Sequence, residues 1–246
     1  MVNALQVYNI LDSEIPFSSQ ESWDNSGLLI NTGEHTDTVL VCLDVTKAAV
    51  DRAVEAGAKI IVSHHPVIFS GLTQIDCNHI VYTLIKNDIS VISAHTNFDK
   101  YRYGTCYAMA DKLELAAEYD ENIEIGLKAA VNEKLTVKHL AEKCKAVFGT
   151  AACTLPDNQV KKVFICAGSG GGMTEEILAS GADCYITGEG KYHDMLDLAA
   201  LGVAVITTAH DASEKISLEA LAGIITKSNK DIKTEIYIAE NLQYVL

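Results

Sequence analysis

Short runs of consecutive apolar residues alternate along the chain with segments whose apolar positions recur every three or four residues. Residues 38–43, 59–63 and 89–94 are of the first kind and rich in β-branched side chains. They predict strands buried on both faces. Residues 46–56 and 79–87 are of the second kind and predict helices; Thr46 can cap the first of these, and Gly57 ends it. Strands and helices in this alternation predict βαβ units, a mainly parallel sheet covered by helices.

The same plan recurs in the second half. Val39-Leu40-Val41-Cys42 lies over Val163-Phe164-Ile165-Cys166 at a shift of 124 residues (163 against 39). That shift also sets Ala56-Gly57-Ala58 over Ser180-Gly181-Ala182, and Ile61-Val62-Ser63 over Tyr185-Ile186-Thr187. At a shift of 115 (204 against 89), Ile89-Ser90-Val91-Ile92-Ser93-Ala94-His95 lies over Ala204-Val205-Ile206-Thr207-Thr208-Ala209-His210. Few residues are identical, so chance competes with duplication for each segment alone. Recurrence in the same order, with the same predicted elements, favours duplication. The expected organisation is a first α/β lobe over 1–113, a connecting region over 114–159 and a second α/β lobe over 160–246. Within the connector, 135–148 reads as a helix with Thr136 as cap and His139 solvated on its first turn. The last strand, near 235–239, has no assigned place, and its return to the first lobe stays open.

Candidate chemistry gathers at the predicted strand ends. The run Ile60-Ile61-Val62-Ser63 finishes in His64-His65-Pro66. Imidazoles buried at a strand end need hydrogen bonds or a cation; a hydrogen-bonded surface pair is the competing reading. The later strand of each repeat ends in His-x-x-x-carboxylate, as His95 to Asp99 and as His210 to Glu214. Residues four apart share a helical face, so an imidazole and a carboxylate can meet one cation. Open α/β sheets place ligands at the carboxyl ends of their strands. His64, His65, Asp99, His210 and Glu214 exceed what one tetrahedral zinc with an open position needs, and suit two divalent cations. The mixed nitrogen and oxygen set fits Zn, Mn, Fe or Co, and does not favour Ca or Mg.

Composition narrows the classes. The 246 residues are 48% hydrophobic and 21% charged, with a formal net charge of −14. That charge argues against a nucleic-acid surface and suits cation binding. Seven cysteines are widely spaced without a C-x-x-C, which argues against a disulfide framework and for a reducing, cytoplasmic compartment. No signal-peptide pattern or membrane-length apolar run occurs.

Other residues carry competing readings. Gly168-Ser169-Gly170-Gly171-Gly172 follows a strand and precedes a predicted helix; its N–H groups can cradle phosphate, or it is a tight turn. Trp23, the single tryptophan, reads first as a core-anchoring aromatic in a loop, with substrate stacking as the alternative. His193 is a candidate for the cleft. Glu189, at the repeat position of His65, is a candidate outer-shell carboxylate. His35 and His79 read as solvated.

Ser63-His64-His65-Pro66, Ser93-Ala94-His95-Thr96-Asn97-Phe98-Asp99 and Ala209-His210 through Glu214 together resemble one family's signature. So do Trp23-Asp24-Asn25-Ser26-Gly27-Leu28, Gly168-Ser169-Gly170-Gly171, and Thr187-Gly188-Glu189 through His193-Asp194. The family is the GTP cyclohydrolase I type 2 homologues, or NGG-one-interacting-factor-three-like proteins, and the resemblance runs the length of the chain. It implies two interlinked, duplicated α/β lobes with helices packed on mixed, mainly parallel sheets and a dinuclear metal site between the lobes. It implies His64, His65, Asp99, His210 and Glu214 as ligands, His95 as a second-shell or acid/base residue, and a toroidal homohexamer. The motif departs at Gly104-Thr105-Cys106, at Gly188-Glu189-Gly190-Lys191-Tyr192 and at Thr208-Ala209-His210-Asp211, which leaves the substrate pocket open. The expected function is metal-dependent hydrolysis of a nucleotide or phosphorylated metabolite, GTP cyclohydrolase-like by resemblance. The alternative is a non-catalytic metal-binding scaffold or regulatory protein acting through partner binding.

Overall fold

The computed structural model describes residues 1–239, and these fall into two compact units. Among the described residues, Met1–Tyr101 and 218–239 form the first; Arg102–Ser217 form the second. Each is α/β, with helices on mixed sheets.

The first unit is built on a five-stranded sheet in the order Lys233–Tyr237, Thr38–Cys42, Ile60–Ser63, Ser90–Ser93, Gly27–Ile30. The first four strands run parallel and the last is antiparallel. The three apolar runs predicted as strands occupy its centre. Their side chains alternate between two cores, as a period of two requires. Val39, Val41, Ile60, Val62 and Ile92 pack with the helices Ala4–Glu14 and Leu218–Ser228. Leu40, Cys42, Ile61 and Val91 pack with Lys47–Glu55 and Ile80–Lys86 on the other face. Thr46 caps Lys47–Glu55 by accepting the Ala49 N–H.

The second unit's sheet runs Ala116–Glu118, Leu127–Thr136, Gln159–Ser169, Cys184–Glu189, Ala204–Thr207, Ala152–Cys153. Three central parallel strands are flanked by antiparallel ones. The helix Val137–Phe148, capped by Thr136, sends Val137, Leu140, Cys144 and Phe148 into this unit's core.

These units differ from the expected boundaries. Segment 114–159 does not connect two lobes: it supplies strands and a helix to the second sheet. The chain after Ser217 leaves that unit, and Lys233–Tyr237 adds a parallel strand beside Thr38–Cys42. Such non-local pairing leaves no local trace in the sequence.

The two sheets share a parallel three-strand centre, but the repeat is one residue out of step in its third strand. Cys42, Ser63 and Ser93 are neighbours in the first sheet, and Cys166, Thr187 and Thr207 in the second. The first two pairs keep the shift of 124; the third has 114 (207 against 93) rather than 115. The helical turns that follow start at Thr96 and His210, again 114 apart. His210 therefore corresponds to Thr96, and His95 is not its repeat partner. A one-residue slip moves every side chain to the opposite face, so an ungapped match at 115 is incompatible with the strand pairing.

Candidate metal centre

His64 and His65 extend the Ile60–Ser63 strand. Their N–H groups donate to the carbonyls of Cys42 and Leu43 at 3.1 and 3.0 Å. His95 caps the short turn Thr96–Asp99, and the three rings converge. Ring centroids are 5.1 Å apart for His64–His65, 5.2 Å for His64–His95 and 5.6 Å for His65–His95. One ring nitrogen of each lies within 4.8 Å of the others.

Each ring is oriented through Nδ1. His64 Nδ1 donates to the Ala94 carbonyl at 2.9 Å, His65 Nδ1 to Asp44 Oδ1 at 2.8 Å, and His95 Nδ1 to Asp24 Oδ1 at 2.9 Å. A carbonyl or carboxylate oxygen only accepts, so Nδ1 carries the hydrogen and Nε2 the lone pair in the neutral rings. The Nε2 of fully buried His64 lies 3.7 Å from Asp99 Oδ1. A lone pair facing a carboxylate is reconciled by a cation or a proton between them. Asp99 thus approaches His64, and its N–H donates to the carbonyl of His95, which stands before the turn with non-helical φ and ψ.

Asp24, which the sequence offers only as part of the Trp23–Leu28 motif, is the hydrogen-bond partner that holds His95. Its side chain is fully buried and accepts from His95, from the Thr96 backbone and hydroxyl, from Ser26 and from the Asn25 N–H. Burial pushes its pKa up, but the hydrogen bonds from His95, Thr96 and Ser26 outweigh that and hold it well below the usual carboxylate range. Asp44, against His65, was passed over. Carboxylates placed shortly before or after a strand are a weak signal, because only the folded chain brings them to a ring.

The second unit holds its own donor set. His210 opens the helix His210–Lys215, and its Nε2 is 3.2 Å from Glu214 Oε2 one turn on. Here the i, i+4 geometry is realised. His210 Nδ1 lies 3.3 Å from Glu189 Oε1. Two glycines leave room for this turn. A Cβ on Gly168, at φ +61°, would stand 2.0 Å from Glu214 Oε1; one on Gly188 would stand 2.9 Å from the His210 Cα. Gly168 falls where the pairing of its strand shifts between Cys166 and Ser169, a bulge that glycine accommodates.

Three expectations change. His193 is exposed, with its ring against Tyr192, and joins neither donor set. The glycine-rich loop is a packed turn. Gly170 N–H donates to Thr187 Oγ1 and Gly172 N–H to Asp194 Oδ2, while the helix beyond opens with Glu175 and Glu176. A hydroxyl and a carboxylate thus already take the two N–H groups that an anion would need. Gly170 is required because Tyr185 Oη would stand 1.7 Å from a Cβ there. Trp23 does not anchor the core: it is 58% exposed.

In the first unit, imidazoles with lone pairs at Nε2 beside Asp99, and in the second, His210 beside Glu214, are residue types that could each hold a divalent transition metal. No helix among the described residues is long and apolar enough to cross a membrane.

Comparison with known proteins identifies relatives over nearly the whole chain. The model of the Duf34/NIF3 (NGG1p interacting factor 3) family matches residues 2–243. A Clostridium acetobutylicum protein named GTP cyclohydrolase 1 type 2 homolog is 29% identical, over 95% of this chain and 94% of its own length. A Helicobacter pylori protein named GTP cyclohydrolase 1 type 2 is 34% identical, over 85% of this chain and 86% of its own. The crystal structure of a Staphylococcus aureus hypothetical protein superposes with a TM-score of 0.89 at 28% identity, covering 99% of both chains.

Proposed function

Because the chain belongs to the Duf34/NIF3 family, we propose that it is a divalent-metal-dependent hydrolase of a nucleotide or phosphorylated metabolite, with two transition-metal ions per chain. The observation that carries this reading is the orientation of three histidines. His64, His65 and His95 each have Nδ1 against an oxygen, at 2.8–2.9 Å, which directs the Nε2 lone pair away from that partner. His64, His65, Asp99, His210 and Glu214 are the proposed ligands.

Bound divalent ions would supply Lewis acidity and lower the pKa of water to near neutrality. The chain's own part is positioning and proton handling. His95 accepts and returns a proton at Nε2, and Asp24 on its Nδ1 side stabilises the imidazolium that results. Asp44 does the equivalent orienting for His65, and Glu189 stands beside Nδ1 of His210. The Helicobacter relative's name makes GTP the first substrate to try. The family resemblance adds a homohexamer to this reading.

Elemental analysis of the purified protein, with His64→Ala and Glu214→Ala beside it, tests the proposal. Transition metal near two equivalents, reduced in each variant, together with metal-dependent turnover of a nucleotide or phosphoester, is the expected result. Wild-type protein purified without chelator and holding almost no metal would overturn it. Metal without turnover on a broad panel would favour the non-catalytic alternative.

A further inference from the structure

Two large aromatic side chains stand exposed beside His95. Trp23 is 58% exposed and Phe69 53%. Both meet the His95 ring edge-on, Trp23 at 6.1 Å and 76°, Phe69 at 6.3 Å and 72°. They lie 6.1 Å from each other at 37°, so neither buries the other's face. Neither belongs to a core cluster of the first unit.

The same hydrogen-bond network that orients His95 holds both rings. Asp24, next to Trp23, carries His95 and Thr96. Ser26 Oγ accepts the His95 N–H at 3.1 Å. Asn25 Nδ2 donates to the carbonyl of Ile68, adjacent to Phe69, at 2.6 Å. The rings are thus tied to the donor cluster instead of to the core. Exposing two such side chains forgoes hydrophobic stabilisation, so a pinned, exposed pair at a polar cluster points to a ligand.

We infer that Trp23 and Phe69 are specificity-determining residues, a ledge on which a planar heteroaromatic ring of the substrate stacks while its reacting atoms lie at the histidine cluster. The inference rests on the proposed function and deepens it: the substrate is a nucleotide and not an aliphatic phosphorylated metabolite. An aromatic base suits this surroundings because its face is apolar and its edge polar. The face covers Trp23 and Phe69; the edge meets imidazoles and their hydrogen-bond partners. A purely aliphatic ligand would leave the rings in water, and a bare phosphate would gain nothing from them.

Trp23 is the single tryptophan of the chain, so its emission reports on the ledge alone. The experiment titrates the protein as purified, its metal content measured in the same sample, with GTP, ATP and guanosine. Tripolyphosphate and ribose 5-phosphate serve as controls. Saturable quenching by the base-containing ligands, and none by the controls, is expected. Phe69→Ala should weaken the quenching midpoint about tenfold or more, and Trp23→Ala, read by calorimetry, should weaken nucleotide binding by about ten- to hundredfold. Trp23→Phe keeps a ring and should recover part of that loss, which separates stacking from misfolding. Nucleotides that bind without changing the emission, or bind Trp23→Ala as tightly as wild type, overturn the ledge. So do controls that quench equally well. Metal-free protein that still quenches with nucleotides would sink the metal reading and leave the ledge standing; metal-loaded protein that fails the quenching test does the reverse.

Discussion

Asp24 and His95 lie 71 residues apart, yet the carboxylate of one accepts the Nδ1–H of the other at 2.9 Å. The bond selects the tautomer of His95 and aims its Nε2. Asp24→Asn keeps the shape and removes the charge. We expect metal-dependent turnover to fall by about a hundredfold or more, while metal affinity, measured by competition with a chromophoric chelator, stays near the wild-type value because His95 is not among the proposed ligands. The metal-free variant should also melt lower, because Thr96 and Ser26 share the same carboxylate. Unchanged turnover in a variant that melts lower would remove His95 from the proton chemistry and leave Asp24 a purely structural role.

Gly168→Ala tests the second donor set. The residue has φ +61°, and its Cβ would collide with Glu214 Oε1 at 2.0 Å and approach His210 Nε2 at 3.3 Å. Left-handed backbone alone costs a non-glycine residue about 1 kcal/mol or more. The larger effect is displacement of a buried carboxylate. We expect a lower urea midpoint and a reduced metal-to-chain ratio. A variant with full metal content would show that Glu214 does not need the position described.

How much of this was legible in the sequence follows from the range of each interaction. The strands Thr38–Cys42, Ile60–Ser63 and Ser90–Ser93 and the Thr46 cap are written in contiguous residues, and the His64-His65 pair marks a strand end by its own position. Partners that come from elsewhere are not. The strand Lys233–Tyr237 finds Thr38–Cys42, and Asp24 finds His95, only after the sheet is assembled. The third strand's register was misread because matching residue types tolerate a shift that hydrogen bonding does not: Thr208 N–H and Ala94 N–H each meet their carbonyl at 2.9 Å. Trp23 faces solvent, which the sequence does not settle, because aromaticity alone does not say whether a ring faces in or out.

Cysteine labelling follows from burial. Cys77 is exposed and Cys153 half-buried, while Cys42, Cys106, Cys144, Cys166 and Cys184 are buried. Burial pushes the Cys144 thiol up to about 12 and Cys184 well above its ordinary value, so thiolate is scarce as well as inaccessible. A disulfide reagent should modify Cys77 quickly and Cys153 slowly, with the remainder reacting only on unfolding. Mass spectrometry of the modified peptides reads the order. Early modification of Cys144 or Cys184 would contradict the packing of the second unit.

Tyr185 decides whether the glycine-rich loop is a turn or an anion site. Its ring is buried, and its hydroxyl donates to the Gly170 carbonyl at 2.8 Å from the space a Gly170 side chain would fill. Burial raises its pKa, so the hydroxyl remains a donor at any working pH. Tyr185→Phe leaves that carbonyl without its donor and should cost about 1–3 kcal/mol, read as a lower urea midpoint with an unchanged m-value. Gly170→Ala should cost more, because the loop must move off the tyrosine. Phosphate should raise the melting temperature of none of the three proteins through this loop, since Thr187 and Asp194 already take its N–H groups. Stabilisation by phosphate that appears in wild type and vanishes in Gly170→Ala would restore the anion-binding reading.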